Sequence, residues 1–556
     1  MDKIKLLRDF MKKEGLSALL IPRTDEFQGE YIAPYSERLA WLTRFNGSAG
    51  FAIITLKKAA FFTDGRYTLQ AKVEVPDIYE IYNTSQKTPS QWALENLSPG
   101  DVIGYDPWLF TEKQLEFYKN PLIPLDKNPI DSLWTNRPLP PQDFVRIHPL
   151  EFSGESNESK RKRIAETLKA DHLLLTACDS IAWLLNIRGN DVPHTPLVHS
   201  VCLLHKDGSY DLFLNLNKIT GRVYNHLQKG GGQAIEIRFL LEHLKTLKGT
   251  CQVDPLTTPV LLIQALENQV VREKDPCVLP KALKNPIEIE GAKKAHIQDG
   301  IALQRFFIWL EEQPLQGETT ELSAANKLYE FRKKGDHFED LSFNTISAFG
   351  PHGAIIHYNV SPETDIPLSR TNLYLLDSGG QYLTGTTDIT RTLCLGTPSP
   401  EQKEMYTRVL KGHIALAEAI FPEGTTGAQL DALARQYLWE AGMDYDHGTG
   451  HGVGSYLGVH EGPQGISKRS ANVPLEPGMI LSNEPGYYKE GEYGIRIESL
   501  VYIIKLRKPK GFLGFEPLTL VPLETKLIDE TLLTEKEKKW VENYHKLCKD
   551  LIQSKL

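Results

Sequence analysis

Five side chains in one stretch of this sequence can ligate a metal ion: Asp377 in LLDSGG, Asp388 in GTTDITRT, His451 in HGTGHGVGSYLGVHEGP, Glu484 in NEPGYY and Glu498 in GIRIES. Singly, each has an ordinary explanation. An Asp after an apolar run is usually a turn former, a Glu is usually solvated or salt-bridged, and HGTGHG alone reads as a flexible loop. Several carboxylates converging on one cleft, however, repel one another unless a cation compensates them. Four carboxylates with one imidazole make an oxygen-rich, fairly hard site, better suited to a pair of Mn²⁺, Co²⁺, Fe²⁺ or Zn²⁺ ions than to one structural zinc. Two such ions about 3.5–4 Å apart share a bridging hydroxide and polarise a carbonyl at once, the arrangement that hydrolyses amides.

A cluster of that kind needs rigid elements to hold it. Asp377 ends the apolar run LYLL before a Gly379-Gly380 turn, and Asp388, Thr390 and Thr392 alternate with Ile389 and Leu393. A hairpin joining the two runs therefore puts both aspartates on one cleft wall. Arg496 and Glu498 share a face opposite Ile495 and Ile497, and Glu484 ends the run MILSN before a Pro-Gly turn. Upstream, residues 287–312 predict a helix with Ile297, Ile301, Leu303, Phe307, Ile308 and Leu310 on a broad buried face, and SAANKLYEFRKK predicts a second helix. After β-rich runs to Leu395 the order restarts: Ser399-Pro400-Glu401-Gln402 is a capping box opening a helix to about Ile420, and Thr426 caps another, with Leu430, Leu433 and Tyr437 on one face. Strands return from Met479 to Ile504. Two helices then strands, twice, predict two halves facing across a pseudo-twofold, with a ligand cleft between them.

The rest of the chain reads as scaffold. With 556 residues it exceeds one hydrophobic core. A helix over 3–13, the strand SALLIP and the runs FAIITL and AAFFTDGRY make an α/β region that closes near residue 140, at the linker PLPPQDF. A surface helix over 158–169 then precedes HLLLTACDSIAWLLNIRGND, which repeats the pattern of SALLIPRTD and RLAWLTRFNGSA. This reads as a duplication, with chance similarity between two α/β units as the alternative, and gives α/β domains over 1–140 and 141–285 ahead of a site-bearing domain over 286–556. The tail ends in an amphipathic helix with Trp540, Tyr544 and Leu547 on one face, a capping or dimer-forming element.

A net charge of −8 and a pI near 6.1 give no reason to expect nucleic acid or an anionic membrane as partner. The six cysteines are scattered, which excludes a CxxC motif and a disulfide framework. The charged N-terminus lacks a signal-peptide core, and no apolar run approaches a membrane span, so a soluble cytoplasmic protein is expected.

The segments DSGGQYLTGTTDITRT, HGTGHGVGSYLGVHEGP, NEPGYY and GIRIES resemble the motif set of the pita-bread metallopeptidases, family M24, and more narrowly the three-domain aminopeptidase P (Xaa-Pro aminopeptidase) family. EYIAPYSERLAW, FNGSAG, TDGRYTLQA, AWLLNIRGNDV, GAIIHY and FEPLTLVPLETKLID extend the resemblance over nearly the whole chain. It implies a mixed α/β and α+β fold: two creatinase-type α/β domains, then a pita-bread catalytic domain with a dimerisation tail. It implies a metalloexopeptidase that hydrolyses the N-terminal Xaa-Pro bond of peptides with proline second, using two divalent ions, Mn²⁺ first among them, and a bridging hydroxide. Carried over by position, Asp377 ligates one ion and His451 the other, Asp388 and Glu498 bridge, and Glu484 ligates the second ion and acts as general base. His357 and His460 match histidines that handle the scissile carbonyl and the leaving-group proton, and His447 matches a pocket histidine. Arg496 holds a ligand carboxylate, Arg66 reaches the substrate from the N-terminal domain, and a homodimer is expected. The sequence departs from the family's usual pattern at Gly380, where alanine is frequent, and at Ile389, where valine is; neither removes a ligand.

Three other readings compete. A prolidase would cut Xaa-Pro dipeptides only, and such chains usually carry a single N-terminal domain. The metal-independent creatinase branch lacks the ligands kept here. Non-catalytic pita-bread binding modules typically lose ligands, whereas all five stand in this chain.

Overall fold

Asp2 accepts the Lys5 N–H and caps the first helix, Lys3–Lys13, which buries Ile4, Leu7 and Met11. The helix packs beside the strand Ala18–Pro22, buried along its whole length. The computed structural model describes residues 2–229, 231–267 and 270–552. They form two compact units, Met1–Leu150 with Glu155–Cys277, and Glu151–Gly154 with Val278–Leu556.

The first unit holds two six-stranded sheets of one design. The spatial order of the first is Glu80–Asn83, Ala59–Thr63, Phe51–Thr55, Ala18–Pro22, Ile103–Tyr105, Leu122–Pro124. Its successive pairings run parallel, antiparallel, antiparallel, parallel, parallel. The second runs Gly232–Glu236, Tyr210–Leu214, Val201–His205, His172–Leu175, Cys251–Val253, Val270–Arg272, with the same sequence of pairings. The likeness extends to single residues. The helices Arg38–Thr43 and Cys178–Leu185 carry the Ala-Trp-Leu repeat, and each ends on a left-handed residue at the same offset, Arg44 (φ 66°) and Asn186 (φ 51°).

In the second unit the helix pair Pro286–Glu311 and Glu321–Arg332 precedes one set of strands, and the pair Pro400–Ala417 and Gly427–Trp439 precedes the other. Capping boxes at Asn285, Thr320, Ser399 and Thr426 start all four helices. The first strand set is the sheet Ile346–Phe349, Leu373–Ser378, Ile389–Cys394; the second is six-stranded and includes Gly450–Gly452, Ile480–Asn483 and Ser499–Lys505.

Several expectations change in detail. Leu373–Ser378 and Ile389–Cys394 do pair, Asp377 opposite Thr390, but the chain between them makes a smaller hairpin, Gly380–Tyr382 with Gly385–Thr386, that joins Phe338–Leu341. On Pro286–Glu311, Ile308 is exposed and Phe306 takes its place in the core. The helix Asn157–Thr167, expected at the surface, buries Lys160 and Arg161. Their stems lie inside while the cations sit over the Trp183 and Tyr210 rings and donate to backbone carbonyls. On the last helix, Glu535–Ile552, Leu547 is exposed and Trp540 only partly covered; Val541, Tyr544, Cys548 and Ile552 make the buried stripe. All six cysteines are buried free thiols. No helix among the described residues is long and apolar enough to cross a membrane.

Candidate metal centre

Strand ends bring the five candidate ligands together. Asp377 lies on Leu373–Ser378 opposite Thr390, so its side chain shares a face with Thr390 and Asp388. Glu498 sits between the strands Tyr493–Arg496 and Ser499–Lys505, its N–H bonded to the Thr390 carbonyl at 3.1 Å. Glu484 follows Ile480–Asn483, its N–H bonded to the Thr449 carbonyl at 2.8 Å. His451 sits in Gly450–Gly452, and its flanking glycines have a packing reason. A Cβ at Gly450 would stand 2.0 Å from the Ser482 carbonyl oxygen, and one at Gly452 2.2 Å from that of Glu461. The glycines let His451 run close against its neighbouring strands.

The side chains converge accordingly. His451 Nε2 is 3.3 Å from Asp388 Oδ2 and 3.4 Å from Glu484 Oε1. Asp388, His451 and Glu498 each offer one donor atom, all within 4.8 Å of one another. Asp377, Asp388 and Glu498 are nearly fully buried, with 7%, 4% and 1% of their surface exposed. Asp377 Oδ1 and Asp388 Oδ1 are buried with no hydrogen-bond partner. An orphaned buried carboxylate oxygen is costly unless it meets a cation.

The electrostatics agree. Burial raises the Asp377 carboxyl; Arg496 partly offsets this, Asp388 adds to it, and the result is about 7. Burial likewise raises Glu484 despite His451, and Glu498 is pushed well up by burial and by Asp388, Glu484 and Asp377. Burial opposes an imidazolium at His451, yet the Asp388 hydrogen bond and the charges of Glu484 and Asp388 push it up to about 9. The cluster attracts positive charge from every side. His451 Nδ1 lies 2.9 Å from the Gly452 carbonyl, which only accepts, so Nδ1 carries hydrogen and a neutral ring presents its Nε2 lone pair to the carboxylates. This donor set fits two hard divalent ions.

A hydrogen-bonded layer supports the ligands. Arg496, 2% exposed, donates to Asp377 Oδ2 at 2.6 Å, to the Thr390 hydroxyl at 3.1 Å and to the Tyr488 hydroxyl at 2.8 Å. Thr390 in turn donates to Glu498 Oε2 at 2.7 Å, and Ser482 donates to Glu484 Oε1 at 3.0 Å. Behind the small hairpin, the buried Asp299–Arg332 pair accepts hydrogen bonds from Thr387, next to Asp388, and from Tyr382. On the other half, the buried Asp431–Arg435 pair accepts the Thr449 hydroxyl and holds the His447 carbonyl.

Two of the expected histidines, His460 and His447, border this cluster. The His460 ring centroid is 4.4 Å from that of His451, edge to face. His447 Nδ1 is 3.9 Å from Glu484 Oε2, and its Nε2 is 2.8 Å from the Tyr488 hydroxyl. His357 is half-buried in the segment after Gly350–Ala354, whose Ile356 carbonyl accepts from Arg496 at 3.4 Å. The next residue, Tyr358, donates to the buried Glu321. Arg66 belongs to the first unit, where it makes a two-pronged pair with Asp64 at 3.0 and 2.7 Å. Sequence reasoning did not single out Thr390, Ser482, Tyr488 or Asp299 as functional. Tyr488 stands in NEPGYY and Thr390 on the face of Asp388, so both had a signal; Asp299 had only its place on a buried helix face. At Gly380, a Cβ would meet the Tyr382 ring at 2.8 Å, which gives the departure from alanine a local cause.

Comparison with known proteins extends beyond the site. Residues 290–505 match metallopeptidase family M24, and 511–556 match the C-terminal region of that peptidase. Residues 3–131 and 136–288 each match a creatinase/prolidase N-terminal domain. A probable Xaa-Pro aminopeptidase P of Coprinopsis cinerea is 41% identical over 98% of this chain and 93% of its own. Aminopeptidase P1 of Lotus japonicus is 37% identical over 100% and 97%. Among solved structures, an X-prolyl aminopeptidase of Caenorhabditis elegans, described as a cytosolic enzyme with a di-nuclear active site, superposes with a TM-score of 0.93 at 34% identity, over 97% of this chain and 92% of that one.

Proposed function

Because this chain belongs to metallopeptidase family M24, in its aminopeptidase P branch, we propose that it is a metal-dependent Xaa-Pro aminopeptidase that releases the first residue of peptides with proline second. Its fold is two creatinase-type N-terminal domains ahead of a pita-bread metallopeptidase domain. We place the boundaries at 1–140, 141–285 and 286–556. The observation that carries the reading is the buried convergence of Asp377, Asp388, His451, Glu484 and Glu498, two of whose carboxylate oxygens have no hydrogen-bond partner.

In this reading Asp377 would hold one ion, His451 and Glu484 would hold the other, and Asp388 and Glu498 would serve both. When bound, the ions, Mn²⁺ in our assignment, would supply a hydroxide nucleophile and polarise the scissile carbonyl. The protein does the rest. Glu484, with a carboxyl raised by burial, accepts and returns protons as general base. His357 and His460 donate to the carbonyl oxygen and deliver the proton to the proline nitrogen. His447 lines the pocket, Arg496 locks Asp377, and Arg66 contacts substrate from the N-terminal domain. An Xaa-Pro bond is a tertiary amide with no N–H and a rigid ring. A pocket that grips the ring therefore gains a contact where a peptidase that binds the N–H loses one. We assign a cytoplasmic homodimer, in line with the cytosolic relative and the expected tail.

The test is hydrolysis of an Xaa-Pro-Yaa tripeptide by metal-stripped protein with and without Mn²⁺, beside an Xaa-Ala-Yaa peptide and an Xaa-Pro dipeptide. Manganese-dependent release of the first residue from Xaa-Pro-Yaa alone is expected. Cleavage of the dipeptide alone would make the chain a prolidase. No cleavage by protein shown to hold two ions would end the peptidase reading. Asp388→Asn should abolish activity.

A further inference from the structure

Two lysines in the segment KALKNP, Lys281 and Lys284, are almost wholly buried, with 2% and 6% of their surface exposed. They belong to the second unit, although the match to a creatinase/prolidase N-terminal domain runs through them to residue 288. A lysine is seldom buried unless its ammonium group is paired. Here one carboxylate pairs with both. Lys281 donates to Glu461 Oε2 at 3.0 Å, and Lys284 donates to Glu461 Oε1 and, at 3.0 Å, to the Lys281 carbonyl. The Glu461 side chain is itself only 3% exposed.

The lysines are fixed in their turn. Lys281 stands on the short helix Val278–Ala282, and Ala282 packs in the cluster of Ile466 and Leu481. The Lys284 N–H bonds to the Gly478 carbonyl at 3.1 Å, and the Gly478 N–H to the Ile503 carbonyl at 2.9 Å. Both ammonium groups are thus anchored to the six-stranded sheet that carries His451. Glu461 opens the strand Glu461–Ile466 of that sheet and pairs with Gly452, the neighbour of His451. It directly follows His460, whose ring stands edge to face on that of His451. A carboxylate gripped at each oxygen by a buried cation cannot shift without leaving a charge unpaired. The strand end that presents His460 is therefore held by two charge-assisted bonds.

We propose that Lys281 and Lys284 are positioning residues for His460: by locking Glu461 they fix the place from which that imidazole serves the scissile bond, a role that rests on the peptidase reading above. The last residues of the segment assigned to the second α/β domain thereby complete the site of the third. A reacting group displaced by about 1 Å costs about 100-fold in rate, so the anchor acts on turnover. Substrate affinity and ion binding lie outside it. His451 keeps its own supports, the Ser482 hydroxyl at its N–H and the Gly452 carbonyl at Nδ1.

The test compares full-length Lys281→Met, Lys284→Met and a triple variant that adds Glu461→Met to both. The triple change removes every charge of the network at once, so it should melt above either single variant, which leaves a buried charge poorly paired. Lys411→Met is the control, since it breaks the largely buried pair with Glu537 that ties the last helix to the same unit. At saturating Mn²⁺, kcat on an Xaa-Pro-Yaa peptide should fall about 100-fold in the two single variants and in the triple, with KM and Mn²⁺ affinity unchanged. Lys411→Met should melt lower and keep its kcat. Diethyl pyrocarbonate, read by mass spectrometry, should modify His460 faster than in wild type in those three proteins and at the wild-type rate in Lys411→Met. A triple variant with wild-type kcat and wild-type His460 modification would overturn the proposal, because the charges would then serve stability alone. Mn²⁺ affinity falling in step with kcat would also overturn it, since the effect would run through His451. A wild type that cleaves no Xaa-Pro peptide would end the peptidase reading, and equal His460 modification rates would then end the anchoring as well.

Discussion

At Asp377 and His451 the balance of charge has a measurable consequence. In the metal-free chain Asp377 moves from an ordinary 3.8 to about 7, and His451 from 6.5 to about 9. Both folded values lie above the unfolded ones, so between each pair the folded state binds more protons, and stability falls as pH rises. The window runs from the ordinary Asp value through the raised His value. Ions need these groups deprotonated, so they replace the protons and gain most where the metal-free protein has lost most. The melting temperature of metal-free protein should fall from mildly acidic to alkaline pH, and the rise on adding Mn²⁺ should grow over the same range. A metal-induced shift independent of pH would contradict this account. One shell out, Thr390 donates to Glu498 and accepts from Arg496. Thr390→Val should weaken ion binding by about 10–100-fold in a chelator competition, and Thr390→Ser should restore it. Unchanged affinity in the valine variant would reduce Thr390 to packing.

At the scale of elements, what the sequence shows depends on whether the signal is local. The capping boxes at Ser399 and Thr426 are side-chain-to-backbone bonds within four residues, and both helices begin where they direct. The alternation around Asp388 likewise predicts which residues share its face. Periodicity is blind to partners far along the chain. It assigns Ile308 to the core over Phe306, and Leu547 over Cys548, because two faces of each helix are similarly apolar and only the neighbouring elements decide. It also cannot show that a polar residue is buried with its partners, as Asp299 is by Arg332, Tyr382 and Thr387. The last helix illustrates the point. Tyr544 accepts from the buried Arg391 at 3.0 Å, and Arg391 donates to the carbonyls of Thr390, Glu498 and Val521. The tail is thus tied through one guanidinium to the backbone of a candidate ligand. Tyr544→Phe removes an acceptor from Arg391 and a donor from the Thr519 and Val521 carbonyls. It should cost about 1–3 kcal/mol of unfolding free energy in denaturant titration. No change in the midpoint would show that the tail only covers the core.

For the molecule as a whole, repetition in sequence and independence in packing are separate properties. The two sheets of the first unit share strand order and polarity, and the sequence foretold that duplication from the Ala-Trp-Leu repeat. Their cores are nevertheless shared. Val260, from the second repeat, belongs to the cluster of Trp92 and Phe110, while Phe27 and Trp108, from the first, pack on the cluster of Leu174, Val201 and Phe213. Arg272 also grips Glu112 with two bonds of 2.7 Å. Side chains interleaved in this way lose their contacts together, so the repeats should unfold as one body. The second unit has its own clusters, around Tyr406 and Ile497 and around Phe306 and Leu376, and all five candidate ligands. A ligand stabilises only the body that binds it, by about 2.7 kcal/mol at a hundredfold excess over Kd. Calorimetry should therefore show two transitions rather than three, and Mn²⁺ should raise one and leave the other in place. Three transitions would mean that the shared clusters do not couple the repeats. Two that both rise with Mn²⁺ would mean that the stabilities of the two units are coupled, and a single transition that they unfold as one.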